Sequence, residues 1–162
     1  MYVSPIRCTL PAQRAGAGEL CEAPSVQLDA DAAAVVGDLL QTFTDRLRER
    51  DVEGVLSLFD RSAVLFGSEV GESATGHAEL RLFFSRIFAR PRTYGWIWDS
   101  LNARGTNDVI WFAGPATVVI RTDDGTQQMA PYRLSGVLTR QSDARWLFVL
   151  FNGAEPVASD GA

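Results

Sequence analysis

Downstream of an irregular start, the apolar positions follow two different periods, and the change between them divides the chain. Val35, Val36, Leu39, Leu40, Phe43 and Leu47 recur at helical spacing, leaving Asp38, Asp45, Arg46 and Arg48 for the wet side. This predicts a long amphipathic helix starting near Asp29 or Asp31, where a carboxylate suits the helix dipole. The run DVEGVLSLF predicts a short second helix, and Ala63 to Phe66 a short strand. A third helix is expected from about His77 to Ala89, with Leu80, Phe83, Phe84, Ile87 and Phe88 on one face. Pro91 stops it, because proline cannot continue the hydrogen-bond ladder.

Beyond Pro91 the pattern is that of strands. YGWIWDSL, DVIWFAGPATVVIR, MAPYRLSGVLTR and RWLFVLFNG are β-branched and aromatic, and NARGTN, TDDGT and QSDA between them are suited to hairpin turns. Sequential hairpins imply an antiparallel meander, and helices followed by a meander imply an α+β fold with the helices on one sheet face. A three-residue Asp123–Gly125 loop sets Ala116, Val118 and Ile120 on the same face as Tyr132, Leu134, Gly136 and Leu138. If QSDA closes the last hairpin with Arg140 opposite Arg145, Arg133 faces Asn152 and Ser135 faces Leu150. Leu147, Val149 and Phe151 then join the inner face. Val119, Val137, Trp146, Phe148 and Leu150 are left outside. An outer face so apolar is rarely left in water, so the chain is expected to form a homodimer through it.

Composition changes this picture only at its edges. At 162 residues the chain suits one domain that buries roughly 70% of its unfolded surface. The net charge is −5 and all fifteen basic residues are arginine. Without a basic run, nucleic acid and anionic membranes are poor partners. No apolar run reaches membrane-spanning length, and the N-terminus lacks the apolar core of a signal peptide, so a cytoplasmic protein is expected. Residues 1–28 read as a flexible arm, dispensable to the fold, and 157–162 as a tail, which leaves 29–156 as the domain. Cys8 and Cys21 lie in the arm. They can pair or stay free, but with one distant histidine they make no zinc site.

Helix, short helix, FDRSAVLFGSEVGESATGHAELRLFF, and then a meander closing with RWLFVLFNGAEP together resemble the nuclear transport factor 2-like superfamily, in its SnoaL-like branch. The resemblance covers about Asp31 to Pro156. It implies a cone: a strongly curved antiparallel sheet wrapped around three N-terminal helices, often with a pocket at the open end. Ketosteroid isomerase of that superfamily uses an aspartate base at positions matching Gly67 and Ser68 here, and a tyrosine matching Phe43. Both groups are missing, which argues against that chemistry.

The glycine-rich GSEVGESATGHAEL stretch is no phosphate loop, since His77-Ala78 follows Gly76 where lysine and a hydroxyl residue are needed. Gly76 near a cap with Glu79 three positions on reads as half a capping box, and His77 as a neutral surface histidine in the first turn. Glu69 is a loop glutamate or a base at the pocket rim. Asp99, in the middle of a predicted strand, either points outward or is a buried base. Tyr132 is the polar exception on the inner sheet face: a core tyrosine, or a donor to a ligand or oxyanion. The expected pocket lining is Phe43, Leu47, Phe84, Trp96, Trp98, Val118, Leu134 and Phe151.

The functional expectation is a domain binding a small, fairly apolar molecule without a cofactor or metal. Its chemistry, if any, is that of an isomerase, dehydratase, cyclase or hydrolase, with Tyr132, Glu69 and Asp99 as catalytic candidates. The alternative is a non-catalytic dimeric scaffold or assembly domain.

Overall fold

The structure, a computed structural model, describes residues 30–156. The arm with Cys8 and Cys21, and the tail from 157, lie outside the described residues. Helix α1 spans Ala30–Glu49. Ala32, Val36, Leu40, Phe43 and Leu47 recur on the face it buries, as the helical period predicts. Arg50, at φ 56, ends the helix. Asp51 then accepts a hydrogen bond from the Gly54 amide at 2.9 Å and so caps α2, Val52–Leu56.

Strand β1 runs Phe59–Phe66 and begins earlier than its apolar run suggests, because Asp60, Arg61 and Ser62 carry polar side chains into the strand. After a loop, β2 (Ser73–Thr75) returns antiparallel to it. Helix α3, Gly76–Phe88, follows directly. The Thr75 amide donates to the Glu79 carboxylate at 2.8 Å, which is the glutamate's half of a capping box. Gly76 has φ 72, and a Cβ there would lie 3.2 Å from the Arg61 carbonyl oxygen. Gly76→Ala should therefore cost about 1–2 kcal/mol, the usual penalty of the left-handed region for an L side chain, read as a shift of the denaturant midpoint. His77 is half-buried, and its Nε2 donates to the Phe59 carbonyl at 2.9 Å. The histidine expected at the surface instead ties α3 to β1.

The meander comprises β3 (Arg92–Ile97), β4 (Asn102–Gly105), β5 (Val109–Thr122), β6 (Gln127–Arg140) and β7 (Trp146–Ala154). The sheet order is β2-β1-β7-β6-β5-β3, with β4 also pairing β5. Five of its seven strands come after α3. The parallel pairing of β1 with β7 closes them over the N-terminal helices, giving the curved sheet and three-helix cone of the α+β class.

Two details differ from the periodicity. YGWIWDSL is not one strand: β3 stops at Ile97, and β4 forms where NARGTN suggested only a turn. Both pair with the long β5, and the chain between them bulges over Gly114. A Cβ at that position would lie 2.8 Å from the Leu101 side chain.

The second difference is the β6–β7 register. The loop is Ser142–Ala144, closed by the Gln141 amide on the Arg145 carbonyl, with Ala144 at φ 67. Arg140 therefore faces Trp146 rather than Arg145, and Ser135 faces Asn152 rather than Leu150. A bulge at Val149 follows, because Leu138 pairs Phe148 while Val137 pairs Leu150. As a result Phe148 and Phe151 both point into the core, correcting the assignment of Phe148 to the outer face and of Leu147 and Val149 to the inner one. Trp146 likewise packs against the core rather than lying outside. The β5–β6 register is the one its three-residue loop dictates, with Ala116 opposite Tyr132 and Gly125 at φ 89.

Candidate functional site

A cavity of about 210 Å³ lies between the inner sheet face, α1 and α3. Phe43 and Leu47 reach it from α1, Phe83, Phe84 and Ile87 from α3, and Trp96, Val118, Ile120, Tyr132 and Phe151 from the sheet. Phe43 is the hub of its floor. Its ring lies 5.2 Å from those of Trp96 and Phe151 and 5.9 Å from that of Phe84, distances typical of favourable aromatic pairs. The indole Nε1 of Trp96 is buried with no hydrogen-bond partner, and so is the Thr44 hydroxyl. An unmet buried donor costs on the order of 1–3 kcal/mol.

Polar groups collect at the mouth, on the loop between β1 and β2 and on the first residues of β3. The Gly67 amide donates to the Glu72 carbonyl at 2.6 Å, which turns the loop back on itself, and Gly71 takes φ 83. A Cβ on Gly67 would lie 2.3 Å from the Glu72 carboxylate, so only glycine leaves that side chain its place. One Glu72 oxygen accepts from the Glu69 amide at 3.2 Å; the other lies 3.6 Å from the Arg90 guanidinium. Arg90 also lies 3.8 Å from Glu69 and donates to the Tyr94 hydroxyl at 3.3 Å. The Tyr94 bond is the main reason its pKa is raised, with the two glutamates adding to it. Ser68 donates to Glu155 at 3.4 Å.

Tyr132 sits between floor and mouth, 8% exposed, its hydroxyl packed so close to Gly153 that a Cβ there would lie 2.5 Å away. Burial raises its pKa above the ordinary 10.0; contact with Ser68 works the other way, and Glu155 and Glu72 add to the rise. At neutral pH it is a protonated phenol, hence a donor. The sign for stability follows from proton counting. Above pH 10 the unfolded chain gives up this proton while the folded state keeps it, so stability falls as pH climbs beyond 10. Tyr132→Phe should lessen that alkaline loss and remove a late step from the ultraviolet phenolate titration. An unchanged titration curve would contradict the placement.

Among the residues singled out from the sequence, Phe43, Leu47, Phe84, Trp96, Val118, Phe151, Tyr132 and Glu69 come together at this cavity. Leu134 is buried in the core beside it, and Trp98 is half-buried against the core beyond the end of β3; neither lines it. Asp99 is exposed in the β3–β4 connection, away from the cavity, because the strand that was to carry it ends two residues earlier. The Glu69 side chain is 61% exposed, whereas that of Glu72 is only 15% exposed, so Glu72 is the sheltered carboxylate of the pair. Arg90 and Arg92 went unnoticed. Alternation along β3, which sets Arg92, Tyr94 and Trp96 on one face, was the available signal for Arg92. Arg90 reaches the mouth only through the turn after α3.

Among the described residues no three His, Cys, Asp or Glu side chains converge as metal ligands would, and no helix is long and apolar enough to cross a membrane. Solved structures share the fold at low identity. A proposed calcium/calmodulin dependent protein kinase II association domain from Xanthomonas campestris is 16% identical over 83% of this chain and 94% of that one, with a TM-score of 0.67. A proposed aromatic ring hydroxylase from Novosphingobium aromaticivorans is 20% identical over 80% and 92%, TM-score 0.68. A ketosteroid isomerase-like protein from Erwinia carotovora atroseptica is 14% identical over 78% and 97%, TM-score 0.62. No curated protein matches the chain. The model of the SnoaL-like domain matches residues 36–151, most of the described chain, and the protein therefore belongs to the SnoaL-like family of the nuclear transport factor 2-like superfamily.

Proposed function

We propose that the protein binds a small, largely apolar molecule inside the cone, with the Tyr132 phenol as its principal hydrogen-bond donor. The observation that carries this is an aromatic cavity whose depth is apolar while hydroxyls, carboxylates and guanidinium groups gather at one end. Small-molecule sites have this composition, with many apolar walls and few placed polar groups. Where turnover follows, Tyr132 would polarise an oxygen of the ligand and Glu72, better sheltered than Glu69, would accept a proton.

Tyr132→Phe tests the reading, because it keeps the ring and deletes one hydroxyl. Ligands found by a thermal-shift screen of small aromatic and alicyclic molecules should bind the variant more weakly, while its stability falls by no more than about 1 kcal/mol. Unchanged affinity for every such ligand would show that the phenol is only a core group.

A second reading, assembly through the outer sheet face, draws on a specific observation. Trp111 and Met129 are 43% and 55% exposed there, Ile97 and Val109 lie on the same face, and Val137 pairs Trp111. We propose a homodimer through this face. Trp111→Asp should give a folded monomer by sedimentation; a wild-type protein that is itself monomeric at micromolar concentration would remove the proposal.

A further inference from the structure

Resting on the reading of the cone as a small-molecule pocket, we infer that its ligand is a single-ring aromatic carboxylate, held by its ring in the cavity and by its carboxylate on Arg92 at the mouth.

Size supplies the first limit. An apolar cavity of about 150 Å³ takes up benzene. The 210 Å³ here therefore suits one ring and a short substituent rather than a fused polycycle. The walls favour a flat ring: Phe43, Phe84, Trp96 and Phe151 surround the space with aromatic faces and edges.

Charge supplies the second. The inner face of β3 reads Arg92, Tyr94, Trp96 from mouth to floor, opposite Thr122, Ile120 and Val118 of β5. Every other charged group lining the mouth has a polar partner. Arg90 lies between Glu69 and Glu72 and donates to Tyr94, and Glu155 accepts from Ser68. Arg92 is half-buried, and among the described residues its guanidinium has no carboxylate within salt-bridge distance and no hydrogen-bond acceptor; its backbone amide is engaged by the Arg90 carbonyl. Its guanidinium rests 5.7 Å from the Tyr94 ring centroid, a cation–π contact that holds it over the mouth and leaves its N–H fork open. A planar fork of this kind recognises a carboxylate by two parallel hydrogen bonds. With Glu69 and Glu72 already engaged by Arg90, the Arg92 guanidinium, unpaired among the described residues, sets the sign of the charge that the mouth accepts.

The test uses the full-length chain and three probes of nearly equal shape: phenylacetate, phenylacetamide and phenethylamine, followed by calorimetry and ligand-observed NMR. Phenylacetate should bind about tenfold or more tightly than the amide, in line with a charge-assisted bidentate contact, and the amine should bind weakest. Arg92→Gln should erase the preference for phenylacetate while leaving the amide's affinity within about twofold. Equal binding of acid and amide, tighter binding of the amine, or an acid preference that survives in Arg92→Gln would each overturn the carboxylate assignment. Binding of the amide that disappears in Val118→Trp, whose larger side chain fills the cavity, would keep the pocket itself standing in those cases. Failure of all three probes to bind wild-type protein would overturn both.

Discussion

Phe148→Asp should abolish the cooperative fold rather than produce a soluble monomer. Phe148 is fully buried, its ring 5.1 Å from that of Phe59, 5.5 Å from Phe151 and 5.8 Å from Phe43. Removing such a ring costs about 3–5 kcal/mol, and placing a carboxylate in the same apolar space adds the cost of stripping a charge of its water. A domain holds only about 5–15 kcal/mol of stability, so the two terms together consume most of it. Circular dichroism should show no cooperative melt, and most of the protein should be insoluble. A well-folded monomeric variant would mean that Phe148 lies on the surface, and would restore the register without the Val149 bulge.

Phe43→Ala should be the most damaging neutral substitution among the cavity walls, lowering stability by about 3–5 kcal/mol. Phe43 joins α1 to both halves of the sheet by touching Phe59, Phe84, Trp96, Phe148 and Phe151. These neighbours belong to four different elements, so they cannot close over the missing ring by the movement of any single one. The vacated space should also merge with the cavity and admit bulkier molecules than the wild type does. Chemical denaturation and competition between one-ring and two-ring ligands read the two effects separately. A loss below about 1 kcal/mol would mean that the floor of the cone is looser than the aromatic packing implies.

The helices and the β5–β6 hairpin were legible because their information is local. Ala32 to Leu47 keep a helical period on one face, and Asp123-Asp124-Gly125 carries a glycine where φ 89 is required, which sets the pairing of two fourteen-residue strands. The last hairpin misleads for an equally local reason. Ala144 takes a left-handed φ that its side chain does not advertise, and an apolar run such as WLFVLF reads equally well with either parity.

The cavity was legible in the same measure. Phe43, Phe84, Val118 and Tyr132 were recognisable as inward-facing from helical period and the β5–β6 turn, so their convergence follows once helices and sheet are packed together. Asp99 and Trp98 were misplaced because nothing in YGWIWDSL marks where a strand leaves its partner; that break depends on Gly114 on another strand. The mouth was the least legible part. Arg90, Arg92, Glu69, Glu72 and Glu155 come from three separate stretches of chain, and which arginine is neutralised depends on distances of a few ångströms between them.

By itself, then, the order of residues determined the element types, an α+β fold with its helices on one sheet face and the aromatic character of its interior, because periodicity and turn chemistry act over a few positions; the cone was what the family resemblance implied. The tertiary structure alone decided which carboxylate is sheltered, which mouth arginine has no ion-pair partner among the described residues, and which face Phe148 takes. Those properties belong to pairs of residues distant in sequence, and solvent exposure and charge pairing arise only when the packed chain brings them within reach.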